Sequence, residues 1–123
     1  MLALAALAGA CGSQSGGGRV CTDLFAFITA IAVDTSGKPV TGLAVSDTVT
    51  RTGHGFDVAQ QAYGPDGTVT IFSDSNLGDV RESGDAVRVT GIVGAARFAA
   101  DYVFGSDGCH VRKVSGPDTV VVR

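Results

Sequence analysis

The chain has 123 residues, which is enough for one domain of ordinary size. Its formal net charge is −3, and 45% of its residues are hydrophobic. The acidic balance excludes a strongly basic nucleic-acid-binding surface, because phosphate contacts need Lys and Arg. The hydrophobic content excludes a disordered acidic tail. The chain has three cysteines, an odd number, so they cannot all pair with one another.

The N-terminal segment, residues 1–10, is a run of small and apolar residues that ends at Cys11. This run is too short for a membrane span, which needs about 20 apolar residues, but it has the length of the apolar core of a secretory signal. Gly9 and Ala10 precede Cys11, and this arrangement resembles the signal of bacterial lipoproteins, in which the cysteine is acylated. We therefore predict lipidation of Cys11. The alternative is an ordinary cleaved signal that leaves Cys11 as a free thiol.

A Gly- and Ser-rich stretch follows, and residues 11–20 are predicted to form a flexible tether. If Cys11 carries lipid, Cys21 and Cys109 remain. Two thiols in an exported chain usually pair, because the compartment outside the cytoplasm is oxidising. We predict a Cys21–Cys109 disulfide and no metal site, since two Cys and the two His, His54 and His110, lack the spacing of a metal motif. No cofactor is expected.

The composition of the remaining chain predicts an all-β fold. From position 11 onward there are 17 Val and 11 Thr, against three Leu and three Glu and Lys together. β-branched residues favour strands, and the strongest helix-forming residues are scarce. Glycines and prolines in short polar clusters, such as Gly64-Pro65-Asp66-Gly67, mark the turns.

Alternating apolar and polar residues predict seven or eight short strands at regular spacing. Expected strands lie around 25–33, 43–50, 53–61, 68–71, 87–93, 98–104, 109–114 and 119–122, and residues 73–84 are predicted to be a surface loop. This spacing favours an antiparallel β-sandwich of about 100 residues. The predicted core is Phe27, Ile31, Val33, Leu43, Val45, Val69, Ile71, Val87, Val89, Phe98, Tyr102 and Val111.

Several segments resemble carboxypeptidase regulatory-like domains. Residues 31–45, IAVDTSGKPVTGLAV, are similar to the opening of that family through Asp34, Gly37, Pro39 and Val45. Residues 84–94, GDAVRVTGIVG, are similar to a later strand of the family. Residues 106–111, SDGCHV, resemble a segment of bacterial lipoproteins that carry this kind of domain, which also have a Cys before the first strand. The resemblance covers residues 21–123.

The resemblance implies a prealbumin-like Greek-key sandwich and a domain without catalytic activity of its own. We therefore expect a non-enzymatic structural or protein-binding module. Its partners would be a lipid bilayer, through acylated Cys11, and an envelope protein, and nucleic acid is not expected. The expected location is the bacterial cell envelope, at the outer membrane or periplasmic face.

The alternative function is a carbohydrate- or Ca²⁺-binding module. Four acidic residues of the 73–84 loop and its end could supply oxygen ligands for calcium: Asp74, Asp79, Glu82 and Asp85. Phe56, Tyr63 and Phe72 could offer an aromatic surface to a sugar, although packing is the better interpretation in a chain with no Trp. His54 and His110 are interpreted as structural.

Overall fold

The computed structural model describes residues 20–61 and 64–123. The predicted signal, Cys11, most of the tether and Tyr63 lie outside the described residues. The described chain forms eight strands and one 3₁₀ helix, whose bounds are β1 Phe27–Val33, β2 Ala44–Val49, β3 Gly55–Val58, β4 Thr68–Ser73, the 3₁₀ helix Asp74–Asp79, β5 Asp85–Val93, β6 Ala96–Ser106, β7 Val111–Ser115 and β8 Thr119–Val121.

The strands form two sheets that pack face to face. One sheet has three strands in the order β4-β1-β8, and the other has five in the order β3-β2-β5-β6-β7. The all-β sandwich predicted from composition and spacing is confirmed. One pair departs from an antiparallel arrangement, because β8 pairs with β1 in parallel. At the end of β8, Arg123 exchanges two backbone hydrogen bonds with Arg97 of β6, and these join the two sheets.

The inward face of β1 is the opposite of the one we predicted. The alternation of Phe27, Ile31 and Val33 suggested that these residues point into the core, but Phe27 is 41% exposed and the other two are only half-buried. The buried side chains of β1 are Ala30 and Ala32. Small side chains fit here because β4 supplies larger ones from the same sheet, and a register shift between β1 and β4 accompanies the change.

The other nine predicted core residues are buried. Three aromatic rings organise the centre: Phe72 stacks on Phe104 at 4.5 Å between ring centroids, and Phe104 stacks on Tyr102 at 5.2 Å. The Tyr102 hydroxyl donates a 2.8 Å hydrogen bond to the Pro117 carbonyl, so the buried ring has a partner for its polar atom. Gly91 lies opposite Phe98, whose ring occupies the place that a Cβ at position 91 would need.

The predicted surface loop at 73–84 contains the 3₁₀ helix, which begins after Ser73. Strand β6 also continues further than the predicted 98–104, through Gly105 to Ser106. Gly105 is needed there for a close approach, because a Cβ at this position would lie 2.5 Å from the Glu82 carbonyl oxygen. The loop therefore packs against the end of β6.

The free edge of β4 is covered at one residue by a glutamine side chain. The Gln60 amide accepts from the Thr70 backbone N–H at 2.9 Å and donates to the Thr70 carbonyl at 3.0 Å. It thus makes both hydrogen bonds that a neighbouring strand would make at that point. The Gln61 N–H donates to the Thr70 hydroxyl at 3.0 Å and holds the same segment in place.

Candidate functional site: a clasp at the start of the domain

The first described residues of the domain are fastened to the turn between β6 and β7. Cys21 and Cys109 form a disulfide across a sequence separation of 88 residues, as the two-thiol argument predicts. Beside it, the Thr22 hydroxyl and Nε2 of His110 lie 2.9 Å apart, and this hydrogen bond also joins residues 88 positions apart in the sequence. The chain-entropy argument assigns about 4–5 kcal/mol of stabilisation to a disulfide that closes a loop of this length.

Asp74, the first residue of the 3₁₀ helix, joins this link to two other segments. Its Oδ2 accepts from the Ala26 N–H at 2.8 Å and lies 2.6 Å from Nδ1 of His110. Its Oδ1 accepts from the Val111 N–H at 2.8 Å. The Asp74 N–H in turn donates to the Ala26 carbonyl at 2.9 Å. We call this set the clasp; its members are Cys21, Thr22, Ala26, Asp74, Cys109, His110 and Val111.

The clasp carboxylate is held in its charged form. Burial alone would raise the pKa of Asp74, but the hydrogen bonds from Ala26, His110 and Val111 outweigh burial and lower the pKa below its ordinary value. The Asp74 side chain is only 12% exposed and that of His110 22% exposed. Hydrogen bonds from three donors to a shielded carboxylate are of the charge-assisted kind, which are stronger than neutral ones. The clasp is therefore a well-satisfied polar cluster.

The Thr22 hydroxyl, His110 imidazole and Asp74 carboxylate lie in the order of a nucleophile, a base and an orienting group. Such a relay needs N–H donors near the hydroxyl to stabilise an oxyanion. The N–H groups of Cys109 and His110 donate instead to Asp107 at 2.8 and 2.7 Å, and that of Val111 donates to Asp74. In the clasp, the Thr22, His110 and Asp74 side chains link the start of the domain to the β6–β7 turn and the 3₁₀ helix.

A second charged cluster surrounds Asp85, at the start of β5. Arg51 binds both carboxylate oxygens, at 2.9 Å through Nε and 3.0 Å through Nη2. Arg81 adds its backbone N–H at 2.8 Å and its Nε at 3.0 Å. The hydrogen bonds from Arg51 and then from Arg81 hold the pKa of Asp85 well below its usual range, despite burial. This cluster ties the β2–β3 turn to the loop before β5.

Asp47 lies in the middle of β2 and has the opposite environment. Its side chain points into the core between Val45 and Val49, its cross-strand neighbours are Val89 and Phe56, and the residue is 1% exposed. Neither carboxyl oxygen has a hydrogen-bond partner in the described structure. Burial raises its pKa to about 8. Asp47 is therefore neutral in the folded protein over most of the physiological pH range.

The four acidic residues suggested as calcium ligands do not converge on one point. Asp74 belongs to the clasp, Asp85 binds two arginines, and Asp79 accepts from the Asn76 amide at 2.8 Å. In residues 20–61 and 64–123, no three His, Cys, Asp or Glu side chains are grouped as metal ligands would be. Among the aromatic residues suggested for sugar, Phe72 is fully buried and Phe56 packs against it at 6.1 Å, whereas Tyr63 lies outside the described residues.

Sequence reasoning placed the disulfide but missed the rest of the clasp. His110 was interpreted as structural, but its partners Asp74 and Thr22 are 36 and 88 residues away, and no spacing rule connects them. Asp47 could have been found, because it shares the register of Leu43 and Val45, which were predicted to lie in the core.

Comparisons with known proteins found no match, whether against protein-family models, curated proteins or solved structures. Within the part of the chain that the structure describes, no helix is long and apolar enough to cross a membrane.

Proposed function

We propose that the chain is a non-catalytic module of the bacterial cell envelope, anchored by lipid on Cys11 at the outer membrane or periplasmic face. Its folded part is a carboxypeptidase regulatory-like sandwich that serves as a structural or protein-binding domain. The observation that supports this proposal is the clasp, which fastens the chain immediately after the tether. The start of the domain is joined to the β6–β7 turn by a disulfide and one hydrogen bond, and to the 3₁₀ helix by another, at the point where an anchor would pull.

The position of the disulfide suits an anchored domain. Any force transmitted from Cys11 along the tether reaches Cys21 before it reaches the first strand, β1 Phe27–Val33. The disulfide passes that force to Cys109 in the turn before β7, so β1 is protected from being peeled from its sheet. A disulfide also fits an oxidising compartment such as the periplasm.

The absence of catalysis is part of the proposal and rests on how the clasp uses its polar atoms. The N–H groups of Cys109, His110 and Val111 all donate to Asp107 or Asp74. An active site would keep some of these donors free for its substrate.

Membrane fractionation of a Cys11→Ser variant tests the anchor. We expect the natural chain to remain with the membrane after a high-salt wash and its intact mass to include acyl groups. The Cys11→Ser protein should be released and should lack that mass. A Ser13→Ala change in the same tether is the matched control and should behave as the natural chain. An unmodified Cys11 in membrane-free protein contradicts the proposal.

Chemical cross-linking in intact cells tests the partner. An envelope protein should be captured with the anchored chain in repeatable yield, and its yield should fall when Cys11→Ser removes the chain from the membrane. Hydrolysis of ester or peptide substrates by the purified protein, abolished by His110→Gln, would contradict the non-catalytic part of the proposal.

A further inference from the structure

Between its two attachments, the clasp holds a short segment with exposed apolar side chains. Leu24 is 77% exposed and Phe25 is 47% exposed. The disulfide and the Thr22 hydrogen bond fix the chain before them. After them, the Ala26 N–H donates to the Asp74 carboxylate and the Ala26 carbonyl accepts from the Asp74 N–H. These residues are exposed although the backbone on both sides is held by covalent and charge-assisted bonds. We call Leu24, Phe25 and Phe27 the apolar tip.

The apolar tip continues into the outward residues of β1 and β8, which carry no charge, although Asp34 follows β1 and Asp118 precedes β8. The outward residues of β1 and β8 are only apolar residues and threonines: Phe27, Thr29, Ile31, Val33, Thr119 and Val121. The outer face of the five-stranded sheet is different, because it carries Arg97 and the Arg88–Asp101 ion pair. An uncharged, partly apolar face on one side of a sandwich is unusual for a surface that meets only water.

We propose that the apolar tip inserts into the surface of the lipid bilayer to which the chain is anchored. This inference rests on the proposed lipid at Cys11. Only nine residue steps separate Cys11 from Val20, so the start of the domain stays within about 30 Å of the anchor even when the tether is fully extended. The tip is therefore always close to the membrane. Val20, 91% exposed, extends the apolar character toward the anchor.

The charges near the tip define the kind of membrane contact. From Arg19 to Val33 the sequence contains only one basic and one acidic side chain, Arg19 and Asp23, whose charges cancel. Attraction to anionic lipid head groups needs basic residues. Docking is therefore driven by apolar burial, and it should occur on zwitterionic vesicles and persist at high salt.

Tryptophan fluorescence tests this proposal directly, because the natural chain contains no Trp. The acylated full chain with Phe25→Trp is incorporated into phosphatidylcholine vesicles that contain brominated acyl chains. The matched control is Ile92→Trp, at a site 48% exposed on the outer face of the five-stranded sheet. The Phe25→Trp indole should emit at shorter wavelength and be quenched by the bromine atoms, whereas the Ile92→Trp indole should keep the emission it has in water.

A second variant measures the contribution of the tip. Adding Leu24→Ser to the Phe25→Trp chain should lower the ratio of docked to undocked protein at least about tenfold, which corresponds to about 1.4 kcal/mol of lost apolar burial. An indole at position 25 that stays in water while intact mass confirms acylation of Cys11 would overturn the docking and leave the anchor intact. Quenching that requires anionic lipid or disappears at high salt would also overturn it.

The same experiment separates this inference from the proposed function. Unacylated protein whose Phe25→Trp indole is quenched by added vesicles supports the tip and removes the anchor. Protection of the indole by a cross-linked protein, with no quenching by lipid, assigns the tip to a protein partner and overturns the proposal.

Discussion

Two buried aspartates in this sandwich have opposite environments. Asp85, 3% exposed, accepts hydrogen bonds from two arginines and from the Arg81 backbone. Asp47, 1% exposed, has no partner for either oxygen. The pKa of Asp85 is held well below its usual range, chiefly by Arg51, whereas burial raises the pKa of Asp47 to about 8. Burial alone does not decide whether a carboxyl group is charged, because its donors can reverse the effect.

The difference follows from position in the sheets. Asp85 begins β5 at the border of the core. Two loops bring Arg51 and Arg81 to it, and these arginine side chains stay partly in water, at 43% and 61% exposed. Asp47 lies in the middle of β2, where its two cross-strand partners, Phe56 and Val89, are apolar. An isolated carboxylate in the core costs more free energy than a neutral carboxyl group, and the pKa of Asp47 is raised for this reason.

The largest expected effect comes from removing the unpaired carboxyl. Leucine has nearly the shape of aspartate, so Asp47→Leu should fill the same space. We expect the free energy of unfolding at pH 8 to increase by about 3–4 kcal/mol, because the cost of the buried carboxyl disappears and apolar area is gained. Urea unfolding measures it. Thr48→Leu, at the exposed next position of β2, should change stability by less than about 0.5 kcal/mol. A less stable Asp47→Leu protein would show that the carboxyl has a stabilising role.

Removing the paired carboxylate should have the opposite sign. Asp85→Ala should lower the free energy of unfolding by about 2–3 kcal/mol, because the Arg81 N–H loses its acceptor and two guanidinium groups repel each other. Thermal and urea unfolding both measure the loss. Asp101→Ala, which breaks only the exposed pair with Arg88, should cost less than about 1 kcal/mol. Equal losses in the two variants would contradict the importance of burial at Asp85.

The pH dependence of stability should separate the two aspartates. The pKa of Asp47 is about 8 in the folded chain against an ordinary 3.8, so the folded state binds the extra proton between these values. Stability should therefore fall as pH rises through this window, by about 2 kcal/mol between about pH 6 and about pH 7.5. Asp47→Asn, which does not titrate, should remove this fall. The paired Asp85 contributes stability that is lost only in strong acid. An unchanged pH profile in Asp47→Asn would contradict the raised pKa.

The smallest expected effect distinguishes the two arginines around Asp85. Arg51→Met should lower the free energy of unfolding by about 1 kcal/mol, because both of its carboxylate bonds come from the side chain. Arg81→Met should cost about 0.5 kcal/mol, because its backbone N–H still donates to Asp85. Urea midpoints of the two variants, measured together at low salt, test the order. A larger loss in Arg81→Met would mean that its side chain, not its backbone, holds the carboxylate.

The sequence predicted the strands well and their faces less well. Val87 and Val89 alternate with polar residues, so their inward direction could be read directly. In β1 both faces are apolar, and the larger Phe27, Ile31 and Val33 suggested the wrong one. Side-chain size identifies the buried face only when the other face is polar, and here Ala30 and Ala32 are inside.

In the candidate site, only the disulfide could be predicted, because pairing cysteines does not require knowing where the chain brings them together. Cys21 and Cys109 could be paired by elimination once Cys11 was predicted to carry lipid. The contact of Asp74 with His110 depends on the packing of the 3₁₀ helix against the start of β7, which no local pattern encodes. The exposed tip was hidden for a related reason, because Phe25 and Phe27 looked like core residues of the first strand.

The Gln60 side chain affects how the molecule behaves in crowded solution. An uncovered strand edge can pair with the edge of another copy and begin edge-to-edge aggregation. One amide group, bonded to both backbone atoms of Thr70, occupies the middle of the β4 edge. One uncharged side chain thus occupies the backbone groups with which another copy would pair at this point of the edge. Replacing it with alanine would remove both hydrogen bonds from the buried backbone of Thr70 and would open this edge to pairing with another copy.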